Sequence, residues 1–230
     1  DLALHDAMVQ WATGRMQRGH IPLDGWMPSL SGGLAQFHHY QSLPHVLTAI
    51  VGLAIGPQAA LHLALWALVS TWPVTAYIGG RALGIDRRPA LFAAACAPLL
   101  RSVTGYGFEP FSYLWLGNGL WSQAWGMWMA PLAIGWTVRT ARTGERPVRA
   151  AVAVALTILF HLPTAWFVLL FLAGAPFLHP ARLRDGLLRT ARVMGAAFLG
   201  CAWFLVPFLL DRSSESRTVF GGGVFEHAYG

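Results

Sequence analysis

Apolar residues along this chain fall into long blocks instead of alternating stripes. After forty mixed residues the blocks run over roughly 44–56, 58–80, 89–103, 116–138, 148–162, 164–178 and 188–210. A bilayer-crossing helix needs about 20 residues. Blocks 58–80, 116–138 and 188–210 reach that length, whereas 44–56 opens at Pro44, closes at Gly56-Pro57 and is too short. Ahead of the blocks, Met8, Trp11, Ala12 and Met16 recur at helical spacing, with Gln10, Arg15, Gln17 and Arg18 elsewhere around the wheel. That pattern predicts a helix lying in the membrane interface. Gly19 and Pro22 end it, and a Gly/Ser/aromatic loop runs on to His38-His39-Tyr40.

Arginines gather in three connections: Arg81, Arg87 and Arg88; Arg139, Arg142, Arg146 and Arg149; Arg182, Arg184, Arg189 and Arg192. Cytoplasmic connections carry an excess of positive charge. All three clusters share one side on two conditions. The 44–56 block must be a re-entrant or interfacial helix, and 148–178 must break into two short helices at His161-Leu162-Pro163, where Pro163 lacks the helical N–H. Each half then relies on local thinning or on burial against other helices. The layout predicted is an outside N-terminal segment, six spans and an outside C-terminal segment. Asp1, Asp6, Asp24, Glu109, Asp211, Glu215 and Glu226 fall outside, with only Asp86, Glu145 and Asp185 inside.

Composition agrees with this layout. Of the 230 residues, 55% are hydrophobic and only 11% charged, against about 25% charged in soluble domains. The mean hydropathy is +0.49. An ordinary soluble globule, a disordered chain and a disulfide-stapled secreted module are all excluded. The formal charge of +6 comes from arginines in the inner links, so basicity here reports topology and not a nucleic-acid surface. Cys96 and Cys201 stand singly inside apolar blocks and read as packing residues. Starting at Asp1 and stopping at Gly230, the chain reads as an excerpt of a longer membrane protein. Its parts are an outer first loop over 1–56, a transmembrane bundle of about six spans over 57–210, and the start of an outer segment over 211–230.

Three places on the outer side carry candidate chemistry. In Asp1-Leu-Ala-Leu-His5-Asp6, Asp1 and His5 share a helix face with Asp6 beside them. A carboxylate next to an imidazole serves as a general base or as part of a divalent-metal site, while Asp1 as a helix cap is the quieter alternative. In Gln36-Phe-His38-His39-Tyr40-Gln-Ser-Leu-Pro44-His45, polar and aromatic residues lead into the short block at headgroup depth, and an aromatic belt is the alternative there. The third is Gly105-Tyr-Gly-Phe-Glu109-Pro-Phe-Ser-Tyr-Leu-Trp115, followed by Asn118, Gln123 and a stripe of Trp121, Trp125 and Trp128. Such a stripe stacks on sugar rings or an isoprenoid, or is simply a packing face. His161, at the outer break, is an ionisable residue at the membrane edge. There is no phosphate-binding P-loop, HExxH, CxxC pair or GxSxG elbow.

The outer segment resembles the stretch after the first span in bacterial integral membrane proteins called 6-pyruvoyl-tetrahydropterin synthase-related. Gly19, Ile21, Pro22, Trp26, Pro28, Gly33, Phe37, Tyr40, Leu43 and Pro44 carry the match. Those proteins are similar in architecture to GT-C glycosyltransferases, which use polyprenyl-phosphate sugars at the outer face of the cytoplasmic membrane. The resemblance implies an all-α, polytopic, GT-C-like fold with an interfacial and re-entrant outer loop. It implies Asp1 or Asp6 as the base on an acceptor hydroxyl, with His5 orienting it or helping to hold a divalent metal ion. Arg101, His38 and His39 would face the lipid-phosphate leaving group, and Tyr40, Glu109, Gln123 and His161 would line the substrate. The alternative is a non-catalytic membrane protein, transporter-like or an assembly subunit, that recognises lipid-linked glycans.

Overall fold

The computed structural model describes residues 2–23, 25–28, 34–37, 40–101, 105, 107–116, 120–178 and 180–210. The outer segment expected over 211–230 lies outside the described residues. The fold is all-α. Helix α1 (Leu2–Gln17) is followed by a small antiparallel hairpin in which β1 (Gly25–Met27) pairs with β2 (Leu34–Gln36), Trp26 opposite Ala35. Then come α2 (Leu43–Ile55), α3 (Pro57–Leu83), α4 (Arg87–Cys96), α5 (Trp121–Thr143), α6 (Pro147–Phe160), α7 (Leu162–Gly174), α8 (Leu183–Gly200) and α9 (Ala202–Leu210). The hairpin was not foreseen, since the glycine- and serine-rich loop that holds it has no alternating apolar pattern.

Prolines and glycines set the boundaries. Pro57 and Pro147 open α3 and α6, where a missing N–H costs nothing. The 148–178 block breaks at His161: α6 stops at Phe160, and α7 starts at Leu162 with Pro163 in its first turn. The 89–103 block forms a helix of only 10 residues, ending at Cys96 before a short turn at Ala97–Leu99. Among the described residues, α3 alone is long and apolar enough to cross a bilayer as one helix. A second span results only if Leu162–Phe177 and Pro180–Gly200, bent by 89°, count together. Six spans are therefore more than single-helix length supports. Tryptophan, Gln123 and the terminal arginines lower the apolarity of α5, and the other blocks are divided into shorter helices.

Helix α5 is the axis of the molecule, packing against α3, α6, α7 and α8. Its core partners are small. Ala133, Ala150, Ala153, Ala165 and Ala197 are buried with Val154, Ile158, Leu172 and Val193. Where α5 crosses α3, Gly79 and Gly135 face each other. A Cβ on Gly135 would strike the Gly79 carbonyl oxygen, and one on Gly79 would strike that of Pro131. Some larger apolar side chains point outward, with Trp66, Phe92, Phe167 and Leu199 between 67% and 79% exposed.

The two ends of α5 differ. At its C-terminal end, Arg142 Nη1 donates to the Leu83 carbonyl at 3.0 Å, and Arg189 Nη1 donates to the carbonyls of Ala141 and Arg142, both at 3.3 Å. Arg139 pairs with Glu145 at 2.7 Å. The links that follow α3 and α5, and the start of α8, thus meet at one arginine-rich end. At the other end, about 34 Å away by the 1.5 Å rise over 23 residues, Trp121 packs with α1, α2 and the hairpin.

Candidate functional site

Helix α1 turns His5, Met8, Val9, Ala12 and Thr13 inward, one residue every three or four. On α2, Pro44 in the first turn is followed by His45, which also points inward. The two histidines meet there, His5 Nδ1 lying 3.0 Å from His45 Nε2. Both are buried, with 1% and 0% exposure.

The tautomers follow from the third member of this chain. His45 Nδ1 lies 3.2 Å from the Gln41 carbonyl oxygen, which only accepts, so His45 carries its proton on Nδ1. Its Nε2 is then the acceptor, and His5 donates from Nδ1. In the neutral state His5 Nε2 holds the lone pair. Burial lowers the His5 pKa to about 4, because the charged imidazolium loses its hydration.

An aromatic box surrounds the pair. Trp121 stands 5.6 Å from His5 and 5.0 Å from His45 by ring centroids, and Phe37 lies 5.2 Å from His45. Tyr40 is 5.7 Å from His45, and its hydroxyl is 2.9 Å from Ser122 Oγ. Burial raises the Tyr40 pKa, partly offset by the Ser122 hydrogen bond. Phe37 and Leu120, at the shoulders of the box, hold positive φ of 65° and 62°, a conformation non-glycine residues seldom adopt. Trp125 continues the aromatic row from Trp121 to Phe160.

His161 closes this end. Its Nδ1 accepts from Thr164 Oγ1 at 2.8 Å and from the Thr164 N–H at 3.3 Å, capping α7. Burial first, and then the nearby His5, lower the His161 pKa to about 4. Gly126 lets α5 come this near, since a Cβ there would sit 2.7 Å from the Cβ of His161.

The remaining candidates lie in other surroundings. Asp6 accepts from Gln10 Nε2 at 2.8 Å through Oδ2, while Oδ1 is buried without a hydrogen-bond partner among the described residues. Adjacent helical positions do not share a face, so Asp6 is not part of the His5–His45 chain. Glu109 is 4% exposed in the 105–116 loop, its carboxylate curled back over Gly107. That loop is anchored by Phe108, which stacks on Trp72 at 4.9 Å. Gln123 Nε2 reaches Met127 Sδ at 3.4 Å, and Arg101 is exposed ahead of the loop. Asp1, His38, His39 and Asn118 lie outside the described residues.

Of the sequence candidates, the fold therefore brings together His5, Tyr40 and, at its edge, His161. It adds Phe37, His45 and Trp121 from the stretches that carry candidate chemistry, and Ser122, which no sequence pattern marks. The signal for His45 was present: an ionisable side chain one position after Pro44, at the start of an otherwise apolar helix. Among the described residues no three His, Cys, Asp or Glu side chains gather to hold a metal ion. His5 Nδ1 is already committed to His45, so this pair by itself is not a metal centre.

Beside the box, α3 and the 105–116 loop bound an apolar cleft of about 500 Å³, lined by His62, Trp66, Val69, Phe108 and Trp115 among others. Compared with protein-family models, with curated proteins and with solved structures, the chain shows no significant match to any of the three.

Proposed function

We propose that this chain is part of a multi-pass bacterial inner-membrane glycosyltransferase of the GT-C kind. It transfers a sugar from a polyprenyl-phosphate donor to an acceptor on the extracytoplasmic side. The observation that carries the reading is the polarity of the bundle. His5, His45 and Trp121 collect with α1, α2 and the hairpin at one end of α5, and arginine-held links collect at the other. Two features support a membrane setting: large apolar side chains exposed around the bundle, and helix contacts made by small residues.

In this reading a carboxylate, Asp6 or Asp1, takes the proton from the acceptor hydroxyl. The acceptor oxygen bonds to the anomeric carbon as the sugar–phosphate bond breaks, and the polyprenyl phosphate departs. Arg101, with His38 and His39, stabilises the phosphate oxygens as charge develops. Asp6 is part-exposed on α1, unlike the buried His5, and Gln10 holds its carboxylate in place through Oδ2, which supports that choice of base. The isoprenoid lies in the cleft beside Trp66 and Trp115. His5 positions the start of α1 and does not touch substrate, in keeping with its burial.

The test uses membranes containing the full-length protein, incubated with a set of short-chain polyprenyl-phosphate sugars while release of the polyprenyl phosphate is followed. Replacement of the working base by Asn slows turnover by about 10²–10⁴. Unchanged release in both Asp1→Asn and Asp6→Asn defeats the assignment. One observation favours a second reading, a non-catalytic subunit that recognises lipid-linked glycans: the polar cluster His5–His45 is sealed from solvent.

A further inference from the structure

The arginine-rich end holds a cavity that glycosyl transfer does not use. It has a volume of about 430 Å³ and lies between the end of α5, the turn after α7 and the start of α8. Arg142, Thr143 and Arg182 supply its polar wall, and Ala175, Pro176 and Gly186 part of its apolar wall. Arg142 uses Nη1 to hold the Leu83 carbonyl, which fixes its stem and leaves the rest of the fork available. Arg182 makes no hydrogen bond or ion pair to the described residues although it lines the cavity. It immediately precedes α8, whose first N–H groups receive no side-chain cap. Guanidinium donors around one space are complementary to a phosphate. Of the nearby acids, Glu145 is engaged by Arg139, and Asp185 lies in the first turn of α8 beside the lining residue Gly186. Phe177, Leu187 and Leu188, next in sequence to the apolar wall, are 62%, 41% and 48% exposed.

We infer that this cavity binds the phosphodiester headgroup of an anionic phospholipid, with Arg142 and Arg182 on the phosphate and the acyl chains running along the Phe177 and Leu187 surface. Basic pockets between helices at the cytoplasmic side suit such headgroups. The inference rests on the bilayer-spanning reading above, but not on the enzymatic one. A free phosphate monoester presents the same oxygens, without the chains.

The chain, purified in detergent micelles, is mixed with phosphatidylglycerol or phosphatidylcholine, with or without millimolar inorganic phosphate, and retained adducts are measured by native mass spectrometry. Wild type keeps phosphatidylglycerol under activation that strips phosphatidylcholine. Arg182→Gln loses it by about tenfold, the order of one charged hydrogen bond, and Arg142→Gln with Arg182→Gln loses it further. Arg87→Gln with Arg88→Gln, at the same end but outside the cavity, retains it. Arg142 also serves the fold, so the single Arg182→Gln variant decides the matter, with its elution profile and thermal unfolding as controls. Equal retention by wild type and Arg182→Gln overturns the site. Displacement by inorganic phosphate assigns the cavity to a soluble phosphate and overturns the lipid assignment. Recovery of the whole chain in the soluble fraction of cells sinks the membrane reading itself, a separable outcome.

Discussion

His5 Nδ1 donates to His45 Nε2 across 3.0 Å and 40 positions of sequence, tying α1 to α2 inside an aromatic box. Each imidazole satisfies a group that burial would otherwise leave costly. Replacing either one by Phe orphans its partner, with an expected loss of about 1–3 kcal/mol. Thermal unfolding of His5→Phe, His45→Phe and the double variant in detergent measures this. The double variant falls short of the sum of the singles, with a coupling of about 0.5–3 kcal/mol. Strict additivity removes the hydrogen bond from the account.

Acid destabilises the end that holds His5 and His45. His5 titrates at about 4 in the folded chain against an ordinary 6.5, so the folded state binds fewer protons than the unfolded state between those values. Its contribution is intact above pH 6.5, declines as pH falls, and is fully lost near pH 4. At about 1.4 kcal/mol per pKa unit the whole effect is on the order of 3 kcal/mol. Unfolding midpoints at pH 7.5, 5.5 and 4.5 follow it, and His5→Phe flattens the profile over that window.

The α3–α5 crossing depends on absent side chains. Gly135→Ala places a Cβ against the Gly79 carbonyl, and since backbone cannot swing aside as a side chain does, the helices must part. A loss of about 1–3 kcal/mol is expected for this overpacking. Gly174→Ala, whose Cβ meets nothing within 4 Å, is the control. A Gly135→Ala protein as stable as that control contradicts the crossing.

In the proposed topology the two ends face opposite sides of the membrane. With Cys96 and Cys201 replaced by Ala, an impermeant maleimide applied to intact cells labels a cysteine at exposed position 20. It spares one at exposed position 143 until the cells are opened. Labelling at 143 and not at 20 inverts the topology and removes the basis for an extracytoplasmic site.

The helical blocks were legible because each apolar run is bounded by Pro or Gly, and because Pro163 marks the break that separates α6 from α7. The inward face of α1 was only half legible. Met8 and Ala12 showed it, but His5 and Thr13 occupy the same face, and no hydrophobicity pattern assigns buried polar residues to it. The His45 partnership was hidden for the same reason, since a hydrogen bond between residues 40 apart leaves no local periodicity. The 105–116 loop was flagged by Glu109 and its aromatics, yet its anchoring through Phe108 on Trp72 needed the distant α3.

By itself the sequence determined an all-α, apolar chain with most of its arginines gathered in three links, because residue chemistry and block length act locally. Only the tertiary structure decided that Arg142 and Arg189 knit those links into one end while His5 and His45 close the other. Those pairings depend on which helix faces meet and how closely, and glycines such as 79, 126 and 135 set that distance through the space they leave empty.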